Sequence, residues 1–379
     1  MKSEDKKFLL LSFLSWRVAL FIFLFLAIKI LPQQKLFLGG GLTNYLQNPY
    51  FWAWTNFDGE HYLSIAQNGY GFGEQAFFPL FPLLIKFLGK LLGGSLIVFN
   101  LSGLLISNAS FLIGLLGLIR LVRLDYSERV ARAALILFLL FPTSFYFGSV
   151  YTESLFFALV IWSFYCAKKQ RWLFASCLGA LASATRVIGI VILPALFLEW
   201  WSKKAKKIDI QVIFLFLIPL GLAGYMYYLY IRHGDPLAFW RALPGFGEQR
   251  STVPILLPQV FYRYIFKILP QINYSYFPIV FSTYLEFLSG VAFLAISSLA
   301  FFKMRLSYST FLILGYLLPT LSGSFSSFSR YVLVLFPAFI LAASYLSKAT
   351  RLTQILIYTL LFICLAVATT LFVRGYWLA

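Results

Sequence analysis

An all-α, polytopic membrane protein of about eleven transmembrane helices is the fold class this sequence predicts. Three observations predict it. Hydrophobic residues fill 61% of the 379 positions and charged residues only 12%, a balance that no water-facing shell covers. Apolar runs of spanning length recur along the whole chain. Short basic clusters separate them at every second turn.

The first run lies at 8–31, behind MKSEDKK. It begins like a signal peptide, yet no small-residue cleavage site closes it, so it reads as a retained span. Further runs lie near 96–119, 130–148, 153–167, 172–185, 187–201, 211–231, 276–302, 307–322, 331–347 and 353–373. With the N-terminus cytoplasmic, the inner loops hold Lys2, Lys6 and Lys7, then Arg120, Arg123, Arg129 and Arg132, then Lys168, Lys169 and Arg171. Lys203, Lys204, Lys206 and Lys207 follow, then Lys303 and Arg305, then Lys348 and Arg351. More than half of the 31 basic residues thus fall on the side the positive-inside rule requires. The net charge of +18 therefore reports topology rather than nucleic-acid binding, because the cations are spread over short loops instead of one polar face.

Two long segments stay outside, 32–95 and 232–275, and function is expected there. Within the first, FPLFPLLIKFLGKLLGG (78–94) is too short and too lysine-bearing to span. It is expected to lie in the interface as a helix, with Pro79 and Pro82 setting its entry angle. Heptads, low-complexity linkers and internal repeats are absent from the sequence, so one domain over 1–379 is the simplest organisation. Cys166, Cys177 and Cys364 lie within or beside apolar segments and indicate neither a disulfide framework nor a metal site.

The densest polar cluster is FDGEHYLSIAQNGYGFGEQAFFPLFP (57–82), with Asp58, Glu60, His61, Gln67 and Glu74 among aromatics. Three of the chain's 13 acids fall within it, where acids are scarce. Asp58 opens an expected helix that ends at Asn68 and Gly69. Two readings of its carboxylate stand side by side. It caps the free N–H groups of that helix, or it serves as a general base beside the membrane, taking a proton from a hydroxyl. His61, one turn later on the same face, suits hydrogen bonding or substrate orientation; an Asp-x-x-His pair without a third ligand does not make a metal site.

Glu153, in SVYTESLFFAL, stands at the outer end of the fourth run, where a buried acid marks a site, although a Thr152 cap and the helix dipole would also account for it. Arg186, in SATRVIGIVILP, and Arg330, in SSFSRYVLVLFP, sit at the outer mouth against the positive-inside trend. An anionic head group held by bidentate guanidinium forks accounts for them, as does snorkelling or pairing with Glu153 or Asp58. The second outer loop holds Arg232, His233, Asp235, Arg241, Glu248, Arg250 and Arg263, with Pro236, Pro244, Pro254 and Pro258 preventing long helices. It reads as a structured cover, with Arg241 and Arg250 as secondary phosphate candidates. Glu286, inside the eighth run, needs a partner that the sequence does not name.

FDGEHYLSIAQNGY followed by AFFPLFPLL resembles the first-loop signature of PIG-V-like mannosyltransferases, a branch of the GT-C glycosyltransferases. YTESLFFAL, ATRVIGIVILP and SRYVLVLFP are similar to later blocks of that family, so the resemblance covers most of the chain. It implies a compact, prokaryotic-type member with GT-C-type outer loops and a polyprenyl-phosphate sugar donor, dolichyl-phosphate mannose in eukaryotic relatives. It also implies a glycan or glycolipid acceptor and an acid of the first loop at the reaction centre. Asp58 matches that position, while Phe57 stands where the family commonly has Trp.

The expected enzyme is thus a hexosyltransferase inverting the anomeric carbon, with Asp58 as base. Glu60, His61, Tyr62, Glu153, Arg186, Arg330, Tyr331, Arg241 and Arg250 would contact substrate. The sequence has neither a nucleotide-binding glycine loop nor an Asp-x-Asp motif, and no cofactor or metal is expected. The expected setting is a cell membrane, or the endoplasmic reticulum in a eukaryote, with the active site on the non-cytoplasmic face among membrane lipid. The competing class is a transporter or flippase for lipid-linked sugars. It predicts ionisable groups at mid-membrane and repeated, broken helices.

Overall fold

The computed structural model describes residues 3–202, 210–247 and 250–378. Lys2, Lys203, Lys204, Lys206, Lys207 and Glu248 lie outside the described residues. Among those described, the chain forms helices and turns without strands. The principal helices are α1 (Ser3–Ile30), α2 (Asp58–Asn68), α3 (Leu80–Leu91), α4 (Leu96–Val122), α5 (Glu128–Leu140), α6 (Glu153–Lys168) and α7 (Trp172–Ser183). After these come α8 (Ile192–Ser202), α9 (Leu220–His233), α10 (Phe277–Lys303), α11 (Leu306–Thr320), α12 (Phe336–Leu346) and α13 (Arg351–Val373).

Local chemistry sets the boundaries. The Ser95, Ser127 and Thr350 hydroxyls accept from the amides of Val98, Val130 and Thr353, which satisfies free donors at the starts of α4, α5 and α13. Pro142 forces Phe141 out of the helical region (φ −58°, ψ 137°), so α5 stops at Leu140. Pro219 likewise marks the join between the 3₁₀ segment Ile210–Leu217 and α9.

Every apolar run expected to span carries a helix or a helix pair. Among the described residues, five stretches are long and apolar enough to cross a membrane by themselves: Glu4–Ile30, Leu96–Val122, Ile210–His233, Phe277–Lys303 and Arg351–Val373. The bent pair Phe328–Val334 and Phe336–Leu346 makes a sixth if it counts as one span. Prolines or 3₁₀ turns interrupt some of the remaining runs, while α6 and α7 are unbroken but short. Run 130–148 is α5 plus the turn Ser144–Gly148, and run 187–201 opens with the turn Val187–Val191.

The chain divides into two compact units. The first comprises Met1–Gly69, Phe81–Trp162 and Phe339–Leu378. Its α4 approaches α6 closely because Gly114 lies where a Cβ would stand 2.6 Å from the Phe157 ring, and Gly103 lies as close to Val150. Aromatic rings fill the interior, with Phe111 stacked on Phe147 at 4.2 Å and Phe138 on Phe339 at 4.0 Å. At one end Arg123 grips Asp5 with two 2.6 Å hydrogen bonds. At the other, Tyr45 and Asn56 donate to the Val373 and Phe372 carbonyls, and Arg374 Nε donates to Leu31 O at 2.9 Å.

The second unit comprises Tyr70–Leu80 and Ser163–Ala338. Phe164, Tyr308, Phe311 and Phe336 form its aromatic core. Near the end of α8, buried Glu199 accepts from the Ser307 hydroxyl at 2.6 Å and lies 3.7 Å from Arg305.

Candidate functional site

In the first unit, α2 begins after Phe57, whose left-handed backbone (φ 58°) turns the chain sharply into the helix. Phe57 holds the cap position, so Asp58 is the first helical residue rather than the N-cap, and Gly69 (φ 85°) ends the helix where expected. The segment leading to Asp58 is stitched to the segment leading to Glu153. Val150 N–H donates to Trp54 O at 2.9 Å, Tyr151 OH to Asn56 O at 2.8 Å, and Tyr62 OH reaches Thr152 Oγ1 at 3.5 Å. Asp58 and Glu153 therefore stand at the starts of two helices whose lead-in strands of chain are bonded together. Glu153 is 1% exposed, and Asp58 and His61 are partly buried.

Glu60 takes a different part. Its carboxylate accepts from Gly40 N–H, tying α2 back to the Gly39–Gly41 turn. Burial pushes its pKa up, against the opposing pull of the Gly40 amide and of His61. Tyr62 is buried edge-on to Phe81 at 5.2 Å. The turn is fixed further by Gly39 N–H donating to Asn56 Oδ1 at 2.8 Å and by Phe57 N–H donating to Phe37 O at 2.8 Å.

Arg17 belongs to this neighbourhood although the sequence reading passed over it. Its guanidinium lies 4.6 Å from the Trp54 ring and 5.0 Å from that of Phe21, and a Cβ on Gly148 would stand 2.2 Å from its Nη1. The signal was there: a lone arginine midway along an apolar run is costly and has a purpose.

In the second unit, Arg186 and Arg330 converge on one ring. Each guanidinium carbon lies 5.4 Å from the centre of Tyr331. Arg186 reaches it from extended backbone just before the Val187–Val191 turn, and Arg330 from the four-residue helix Phe328–Tyr331. The other two expected phosphate ligands have protein partners of their own. Arg241 is 69% exposed and paired with Asp235 at 3.2 Å, and Arg250 donates to the Ser326–Ser327 loop. Glu74, counted with the acids of the first loop, accepts from Gly71 N–H at 2.8 Å and so closes its own turn. Among the described residues, no three His, Cys, Asp or Glu side chains gather as a metal site would need.

The family model for mannosyltransferase (PIG-V) matches residues 9–233, more than half of the chain. The chain belongs to this mannosyltransferase family. The matched residues take in the Asp58 helix, Glu153 and Arg186, while Arg330 and Tyr331 lie beyond them.

Among solved structures, ArnT from Cupriavidus metallidurans in the apo state is similar over 93% of this chain, at 15% identity and TM-score 0.52. The chain spans 62% of ArnT's length. This likeness shows the fold alone, a bundle of apolar helices. AglB from Archaeoglobus fulgidus, solved with an inhibitory peptide and a dolichol-phosphate, is a looser match at TM-score 0.48 and 12% identity, over 99% of this chain and 56% of that one. No curated protein matches the sequence.

Proposed function

We propose that this chain moves a hexose, mannose foremost, from a polyprenyl-phosphate donor to a hydroxyl of a glycan or glycolipid acceptor. The reaction takes place on the non-cytoplasmic face of a cell membrane, or of the endoplasmic reticulum in a eukaryote, with the chain working as one catalytic domain. Asp58 accepts the proton of the acceptor hydroxyl as its oxygen attacks the anomeric carbon. The polyprenyl phosphate departs from the opposite side, so the configuration inverts. Arg186 and Arg330 stabilise the charge that grows on the departing phosphate. His61, Tyr62 and Glu153 orient the sugar and the acceptor.

The observation that carries this reading is the pair of guanidiniums at Tyr331. Arginine forks match phosphate oxygens, and two of them stand together at this ring. The reading also draws on the family match and on the position of Asp58 at the start of α2.

Purified protein incubated with a panel of polyprenyl-phosphate sugars tests it. Asp58→Asn should lower sugar transfer at least about 100-fold while thermal unfolding is unchanged. Undiminished transfer by that variant would remove Asp58 as base. Arg330→Ala should raise the donor KM more than the acceptor KM, whereas equal effects would argue against phosphate binding. Sugar-lipid movement across vesicles without turnover would favour a transporter.

A further inference from the structure

Glu286 lies in α10 and is 7% exposed, in a span where an acid is costly unless it is bound. Its Oε1 accepts from Ser327 N–H at 2.9 Å and its Oε2 from Tyr264 OH at 3.2 Å. Ser327 is a non-glycine residue with left-handed backbone (φ 63°, ψ 12°), a conformation that persists only where the surroundings impose it. The Ser327 carbonyl in turn accepts from the amides of Arg330 and Tyr331 at 3.1 and 3.0 Å. One chain of bonds therefore runs from the Glu286 carboxylate, through the peptide of Ser327, to the short helix that bears both Arg330 and Tyr331.

The same loop is held from its other side by the segment that the sequence reading took for a cover. Arg263 Nη1 donates to Gly323 O at 2.8 Å, and Arg250 Nη2 donates to Ser327 Oγ at 3.2 Å. Ser251 N–H and Ile255 N–H donate to the Ser322 and Leu321 carbonyls, each at 2.9 Å. Gly290, one turn beyond Glu286, leaves room for Phe325, whose ring a Cβ there would meet at 2.9 Å.

We propose that Glu286 is the positioning residue for Arg330. Its carboxylate fixes the left-handed turn at Ser327 and so sets where the Arg330 guanidinium emerges, with Arg250 and Arg263 bracing the loop instead of touching phosphate. This rests on the reading of Arg330 as a donor-phosphate ligand. The role is that of a hydrogen-bond acceptor to the Ser327 amide.

Binding of a short-chain polyprenyl phosphate to the full-length protein in detergent, which requires no acceptor, separates these possibilities. Glu286→Ala should raise Kd about tenfold, and Glu286→Gln, whose amide oxygen still accepts from Ser327 N–H, should stay within about twofold of the wild type. Loss in both variants alike would mean that the charge matters, and Glu286→Ala binding as wild type would mean that the loop needs no anchor. Either result overturns the proposal. Should Glu286→Ala fail to fold, Tyr264→Phe removes one of the bonds to the carboxylate and should raise Kd about two- to threefold; unaltered binding overturns the proposal as well. Arg330→Ala in the same assay tests the reading beneath it. If that variant binds normally, phosphate recognition by Arg330 is wrong; if it binds weakly while Glu286→Ala binds normally, only the positioning role is wrong.

Discussion

Two carboxylates two residues apart carry different duties in the Asp58 helix. Asp58 opens it, while Glu60 turns back to the Gly40 amide and is partly buried there, with a raised pKa. A carboxyl whose pKa is higher folded than unfolded binds more protons in the folded state between the two values. Folding stability therefore falls as pH rises through that window and is greater below it. Glu60→Gln keeps an acceptor for Gly40 N–H without the burial of charge. Its thermal midpoint, followed from acidic to neutral pH in detergent, should be flatter than that of the wild type, which should lose stability towards neutrality. Asp58 was legible because helix-start chemistry is local. The Glu60 tie was not, since its partner lies 20 residues upstream and only tertiary folding brings the two together. The same holds for Arg241 and Arg250, whose partners Asp235 and Ser327 are chosen by loop geometry that no charge pattern encodes.

At the scale of elements, hydropathy located the helices and missed their interruptions. Each expected run has its helix, but Pro142 and Pro219 break two of them, because a missing amide and a restricted preceding residue act locally and leave mean hydropathy unchanged. Packing was legible least of all. Gly114 and Gly224 look alike as glycines in apolar helices, yet a Cβ on the first would collide with Phe157 and one on the second would meet nothing within 4 Å. Gly114→Ala should cost about 1–3 kcal/mol through overpacking, and Gly224→Ala should be neutral or stabilise by up to about 1 kcal/mol. Thermal unfolding of the two variants in one detergent checks both signs. If Gly114→Ala were as stable as Gly224→Ala, α4 and α6 would not be in close contact.

For the whole molecule, the basic residues predict an orientation, and that expectation is open to direct measurement. In a background without Cys166, Cys177 and Cys364, a single cysteine at Phe72, which is fully exposed, should react with an impermeant maleimide from the non-cytoplasmic side. One at Lys348 should react only after permeabilisation. The reverse pattern would invert the topology and move the proposed donor site to the opposite leaflet.

The contacts at the C-terminal end of α13 also bear on how the protein is made. Tyr45 and Asn56, just ahead of Asp58, take their carbonyl partners from Val373 and Phe372, and Arg374 closes on Leu31. Ribosomes deliver the Asp58 loop early and the residues that anchor it more than 300 positions later. During biogenesis the proposed catalytic base therefore waits without its final support until α13 has been made, and a nascent chain that stops short of Val373 should not yet hold the Asp58 loop in place.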